Sequence, residues 1–171
     1  MKLYVTKIPS IANEVVQSLV SAEDIEVNDP KEAQLDVEAV LKEYVRLDRE
    51  VTDRAKDQLE EKHLDYGQFG KIKRGLAEEK NLPLGDEAVN WMANQILEGF
   101  MQSAHVDEVF ADDVVMRKKV KDILRKHTAV DDELDQEVRR RIKNLEEGTA
   151  TWDLEYSKVM DQIRRKHGIK E

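Results

Sequence analysis

The chain has 171 residues, enough for one domain or two small ones and for a core that needs no covalent staple. It has no cysteine, which excludes disulfides, thiolate zinc sites and cysteine nucleophiles. Acidic residues outnumber basic ones by 37 to 28, for a net charge of -9, and 38% of residues are charged against 7 glycines and 3 prolines. Charge so dense, with so few chain breakers, points to long amphipathic helices and away from a sheet.

No apolar run approaches the ~20 residues of a bilayer span. The opening MKLYVTKIPSIANEVVQSLV places Glu14 inside an amphipathic pattern, where a signal peptide would be uninterrupted. A cytoplasmic protein with no membrane association is expected. The charge is uneven: residues 1–66 hold 9 basic and 16 acidic side chains, the remainder 19 and 21. Phosphate binding by the first part is therefore disfavoured, while the second part stays open to it.

After a short apolar opening, Pro9 and Ser10 suit the first turn of a helix carrying Ile11, Val15, Val16 and Leu19. Asn28, Asp29 and Pro30 read as a turn, with Ile25, Glu26 and Val27 as a very short strand before it. A long helix follows from about residue 32. Its apolar face (Val37, Val40, Leu41, Tyr44, Leu47, Val51, Ala55, Leu59) recurs at steps of three and four. Asp48 and Glu50 offer a cap for a break near 46–48, but the unbroken phase favours one helix. Gly67 and Gly70 mark a connector, and a third helix runs to about Lys80 with Phe69, Ile72 and Leu76 inward. NLPLGD, with Pro83 and Gly85, is the clearest break and the candidate boundary.

From Asp86, read as an N-cap, the plan restarts. EAVNWMANQILEGFM aligns with the first helix, and Val106 to Phe110 answers Ile25 to Val27. A second long helix over roughly 114–146 repeats the apolar face as Val120, Ile123, Leu124, His127, Val130, Leu134, Val138 and Ile142, with the stretch 128–131 the place where a break is open and Gly148 read as its C-cap. A last helix over about 151–167 turns Trp152, Tyr156, Val159 and Ile163 to one side. This pattern is that of a tandem duplication with insertions in its connectors. Identity between the copies is low, with Val37, Leu41, Asp48 and Glu50 the matches over 37–61, so chance agreement of amphipathic helices stays an alternative.

The expected fold is all-α, or nearly so: about six helices in two pseudo-symmetric three-helix halves, 1–84 and 85–171, packed as one compact domain. A minor two-stranded pairing of 25–27 with 106–110 is the one β element expected. IPSIANEVV, VLKEYVRLDREV, LGDEAVNWMANQILEGFM, VDEVF and VRRRIKNLEEGTATWDLEY together resemble the bacterial domain-of-unknown-function family number 507 over the whole chain. The resemblance implies a bacterial, cytosolic, mostly helical protein and carries no activity, cofactor or catalytic residue.

No reaction centre emerges from the residues themselves. His105, Asp107, Glu108, Asp112 and Asp113 lack calcium-loop spacing and the Glu-x-x-His pairs of di-iron bundles, so they read as a loop whose acids cap the next helix. Asp131, Asp132, Glu133 and Asp135 are consecutive acids that a helix points in different directions, which reads as a solvated face or cap. His127 on the apolar face reads as a partly buried histidine with a hydrogen-bond partner. YGQFGKIKRGL lacks the Gly-Lys-Ser/Thr ending of a phosphate loop and reads as a turn plus a helix start. No catalytic, cofactor or metal residue is assigned, and a non-enzyme is expected.

Two surfaces remain. Arg117, Lys118, Lys119, Lys121, Arg125 and Lys126 surround the second long helix, followed by Arg139, Arg140, Arg141 and Lys143 and by Arg164, Arg165 and Lys166. Lying together, they would grip RNA or another polyanion. Trp91, Met92, Phe100, Met101 and Phe110 concentrate aromatic and methionine area suited to a protein interface. A protein–protein interaction module is the first reading, and an RNA- or ribosome-associated factor the second; either a monomer or a homodimer is compatible with the composition.

Overall fold

A computed structural model describes residues 1–169 of the chain. Six helices and one small antiparallel sheet are seen: α1 Ile8–Ser21, β1 Ile25–Val27, α2 Pro30–Glu61, α3 Phe69–Glu79, α4 Glu87–Gln102, β2 Val106–Val109, α5 Asp113–Arg141 and α6 Ala150–Lys166. The order helix, strand, helix, helix thus occurs twice. Strands β1 and β2 pair antiparallel, with Ile25 opposite Val109, Glu26 opposite Glu108, Val27 opposite Val106 and an irregularity between Glu26 and Val27. The all-α expectation with a minor β pairing holds.

Both long helices are continuous through the stretches where a break was open. Asp29 caps α2 through its carboxylate, which accepts from the Lys31 and Glu32 N–H groups at 3.1 and 3.2 Å. From there the apolar phase of α2 is never interrupted. Val37, Leu41, Tyr44, Val51, Ala55 and Leu59 are all buried, and each fully buried leucine contributes ~2–3 kcal/mol of transfer free energy.

The residues do not divide at the break near Gly85. One compact unit takes Leu3–Leu47 and Pro83–Ala129; the other takes Asp48–Leu82 and the chain from Val130 onward, with Lys2. Each unit therefore draws on both sequence halves, 1–84 and 85–171. The physical reason is that α2 and α5 each carry an apolar stripe too long for one set of neighbours, so each helix serves first one unit and then the other.

In the first unit, the core is built from Ile8, Ile11, Ala12, Val15, Val16 and Leu19 of α1, the first part of α2, the α4 row Ala88, Val89, Met92, Ala93, Ile96, Leu97 and Phe100, and Met116, Val120 and Leu124 of α5. Tyr44 ties the connector after α3 to α2, its hydroxyl donating to the Pro83 carbonyl at 3.2 Å and its ring tilted at 52° to Trp91 at 5.7 Å. In the second unit, Leu134, Val138 and Ile142 pack with Met160 and Ile163 of α6, and Ala55 and Leu59 pack with Phe69 of α3.

Several boundaries differ from those read in the sequence. Gly70 lies within α3; the turn before it is made by Asp65, whose carboxylate accepts from the Gly67 N–H at 2.8 Å. Asp86 makes no side-chain cap for α4. Helix α5 ends at Arg141, seven residues before Gly148, so that glycine is not its C-cap. Three helices instead close on non-glycine residues with positive φ, Glu23, His63 and Asn81, a device that composition does not reveal.

Gly148 (φ +97°) belongs to the connector before Thr149, whose hydroxyl accepts from the Trp152 N–H and caps α6. A Cβ there would meet Phe69 Cδ2 at 2.9 Å. Both the backbone angle and the space require glycine. Gly148→Ala is expected to destabilise by ~1–3 kcal/mol, read as a lower urea midpoint for the Trp152 fluorescence transition.

Candidate interaction surface

The thirteen basic residues read as one surface are distributed over both units, and five of them are engaged by acidic side chains. In the first unit, Lys119 pairs with Asp24, a buried carboxylate, and Lys126 Nζ lies 2.8 Å from Glu14. Arg117 Nε donates to Asn94 Oδ1 at 2.7 Å. Lys118, Lys121 and Arg125, at i, i+3 and i+7 on α5, have no acidic partner among the described residues.

In the second unit, Arg139 is held by Asp135 at 3.0 Å and by Glu147 at 2.8 Å, over the face of Trp152 at 5.2 Å. Burial opposes its charge, but Glu147 and Asp135 outweigh that and raise its pKa further. Arg141 pairs with Glu137 at 2.6 Å, and Arg164 faces Asp131 at 3.5 Å. Arg140, Lys143, Arg165 and Lys166 are exposed and have no acidic partner among the described residues.

The acidic run of α5 is not the solvated face that its sequence suggests. Asp131 is 3% exposed, and burial pushes the Asp132 carboxyl up although the Lys2 main-chain N–H donates to it. Asp135 accepts from the Tyr156 hydroxyl. At this point of the helix the inward positions are Thr128 and Asp131, while Val130, read as core, is half exposed. The Thr128 hydroxyl is satisfied by the Leu124 carbonyl at 2.9 Å. Asp135 and Asp131 hold Arg139 and Arg164 in place.

His127 has the hydrogen-bond partner expected of it: its Nε2 lies against Glu14 of α1. Of the loop acids of 105–113, Asp113 stands in the first turn of α5. Asp107 accepts from the Asn28 side chain at 2.8 Å, Glu108 stands opposite Glu26, and Asp112 contributes its carbonyl to the first turn.

Of the five residues read as a partner interface, Met92 (0% exposed) and Phe100 (2%) belong to the core. They fall in step with Ala88, Ala93 and Ile96, so the helical period itself places them inward. Trp91 is half-buried against Tyr44. Met101 and Phe110 are open to solvent at 57% and 58%. The reading missed their neighbours Val114 and Val115 at the start of α5, exposed at 72% and 44%; the run VV directly after DD was its one signal.

Two grooves of the first unit meet these residues. One, about 620 Å³, lies between α4 and α5 and is lined by Asn90, Asn94, Glu98, Met101, Asp113 and Arg117 among others. The other, about 520 Å³, follows β1 and is lined by Val20, Glu23, Ile25, Glu26, Val27 and Phe110. Phe110 thus belongs to one groove and Asp113 and Arg117 to the other, with Val114 and Val115 between them in the chain. No helix among the described residues is long and apolar enough to cross a membrane.

A helical chain with exposed apolar side chains beside two open grooves has the geometry of a binding surface. The chain belongs to the DUF507 family, described as proteins of unknown function, whose model matches residues 1–169. No curated protein matches it.

Within this unit the contact between α1 and α5 is pH-dependent. Hydrogen bonds from Lys126 and then His127 hold the Glu14 carboxyl below its ordinary value of 4.5. A depressed folded-state pKa contributes stability in full above 4.5 and loses it as pH falls through the folded value. Glu14→Gln is therefore expected to cost about 0.5 kcal/mol near neutral pH, solvent-screened as the pair is. Urea titrations at neutral and acidic pH would show the difference from the native chain closing in acid.

Proposed function

We propose that this protein is a non-enzymatic interaction module that binds another protein through the apolar surface of its first unit. The observation that carries this is the exposure of Met101, Phe110, Val114 and Val115, none of them in the core, with Met101 lining the groove between α4 and α5 and Phe110 the groove along β1. Exposed side chains of this size raise the free energy of the isolated chain and are recovered when a partner covers them. A bacterial cytosolic setting goes with this reading, as the setting that likeness to the family suggests. The doubled element order supports an origin by tandem duplication, with each copy contributing to both units.

A second reading rests on a separate observation. Lys118, Lys121 and Arg125 form a row along α5 without acidic partners among the described residues, which suits contact with RNA phosphates. It is the weaker of the two, because Lys119, Lys126, Arg139, Arg141 and Arg164 are already engaged by carboxylates.

The two separate in one affinity experiment from nuclease-treated and untreated lysate, read by mass spectrometry. Val114→Asp combined with Met101→Asp is expected to abolish capture of a specific protein while the circular dichroism of the native chain is retained. Lys118→Glu with Arg125→Glu is expected to leave capture in place. Capture lost with the charge reversals or with nuclease, and kept with the aspartates, would assign the chain to RNA.

A further inference from the structure

The groove between α4 and α5 is long, straight and acidic. Its lining on α4 runs from Glu87 through Asn90, Asn94, Leu97 and Glu98 to Met101, at steps of three and four along one face of the helix. At 1.5 Å per residue these positions span roughly 21 Å, close to four helical turns. Asp113 and Arg117, one turn apart on α5, line the other wall. Leu97, buried, and Met101, exposed, stand at i and i+4 and give the groove an apolar strip.

Three carboxylates, Glu87, Glu98 and Asp113, share this space with one guanidinium. Arg117 is already engaged in linking the two helices, its Nε donating to Asn94 Oδ1 at 2.7 Å. Glu87 accepts from the Asn90 side chain at 3.1 Å, and none of the three carboxylates has a basic partner among the described residues. All three are exposed, so an occupant reaches them without any rearrangement of the core. The groove attracts cations and repels phosphates. Its walls are helices, whose main-chain groups are paired within α4 and α5, and only side chains meet an occupant. An extended segment laid there would bury N–H and C=O groups with nothing to pair them. A helix brings its own hydrogen bonds, and its ridges fit the channel between two neighbouring helices.

We propose that the α4–α5 groove receives an amphipathic helix of a partner protein, with apolar residues on one face and lysine or arginine flanking them. The apolar face covers Leu97 and Met101, and the cations pair with Glu87, Glu98 and Asp113. This deepens the protein-binding reading and rests on it.

The test uses the full chain and a capped synthetic helix with leucines at i, i+3, i+4 and i+7 and lysines between them, followed by NMR titration. Amide shifts at Asn94, Glu98, Met101 and Asp113 are the expected result, and a leucine–glutamate helix should give none. Glu98→Lys with Asp113→Asn should keep the circular dichroism of the native chain, weaken the lysine helix by about fivefold or more and strengthen the glutamate helix. Absence of shifts at these residues under excess lysine helix, or equal binding of the two helices to the native chain, overturns the proposal. A concentration-dependent dimer of the chain alone, dissolved by Glu98→Lys, would put a second copy in the groove and overturn it as well. Capture of the native partner that is lost with Phe110→Asp and Val114→Asp but kept with Glu98→Lys and Asp113→Asn would overturn the groove while leaving the protein-binding reading intact; capture unaffected by either pair would overturn both.

Discussion

Two long helices, each required to bury one unbroken apolar stripe, set the form of this protein. An isolated amphipathic helix gains little from its own hydrogen bonds in water, and its stability comes from covering its apolar face. Helix α2 presents buried residues from Ala33 to Leu59, and α5 from Met116 to Val138. Neither stripe is satisfied by a single set of neighbours. α1 and α4 complete the covering over the first part of each helix, and α3 and α6 over the second. The two compact units follow from that necessity, as does the assembly of each from both ends of the chain.

The polar residues are arranged around the same need. Carboxylates hold cations that reach across from other elements or turns: Asp24 for Lys119, Glu14 for the exposed Lys126, Asp135 and Glu147 for Arg139, Asp131 for Arg164. Losing Lys119 or Arg164 would be costly, because buried Asp24 or Asp131 would be left desolvated, whereas the exposed pairs contribute little. The inward-facing charges orient helices, and the outward ones remain in water.

The helices were legible in the sequence because a 3.6-residue period survives in any chain that packs one face. Val37, Leu41, Tyr44, Val51, Ala55 and Leu59 could be assigned to the core on that basis, with Val40 and Leu47 of the same face half-buried, and the strand pairing followed from two short β-prone pieces at matching places. What failed depends on tertiary contact. Asp131 is buried and Val130 exposed because the inward face shifts locally toward Thr128 and Arg164, which no pattern of hydrophobicity encodes. The division into units crosses the Pro83–Gly85 break because covering a stripe matters more than where the chain turns. At the candidate surface, Met101 and Phe110 were found by residue type. Met92 and Phe100 were misplaced for the same reason, since aromatic and methionine area marks cores and interfaces alike. Val114 and Val115 carried too weak a signal, and the acidic lining of the α4–α5 groove only appears once Glu98 and Asp113 share one space.

The claim that the first unit is a protein-binding surface is tested most directly by site-specific photocrosslinking in native lysate. With a benzoylphenylalanine side chain replacing Val114, irradiation should give one discrete protein adduct that survives nuclease treatment; the same group replacing Arg125 should not. No adduct from position 114, or adducts to nucleic acid from both positions, would contradict it.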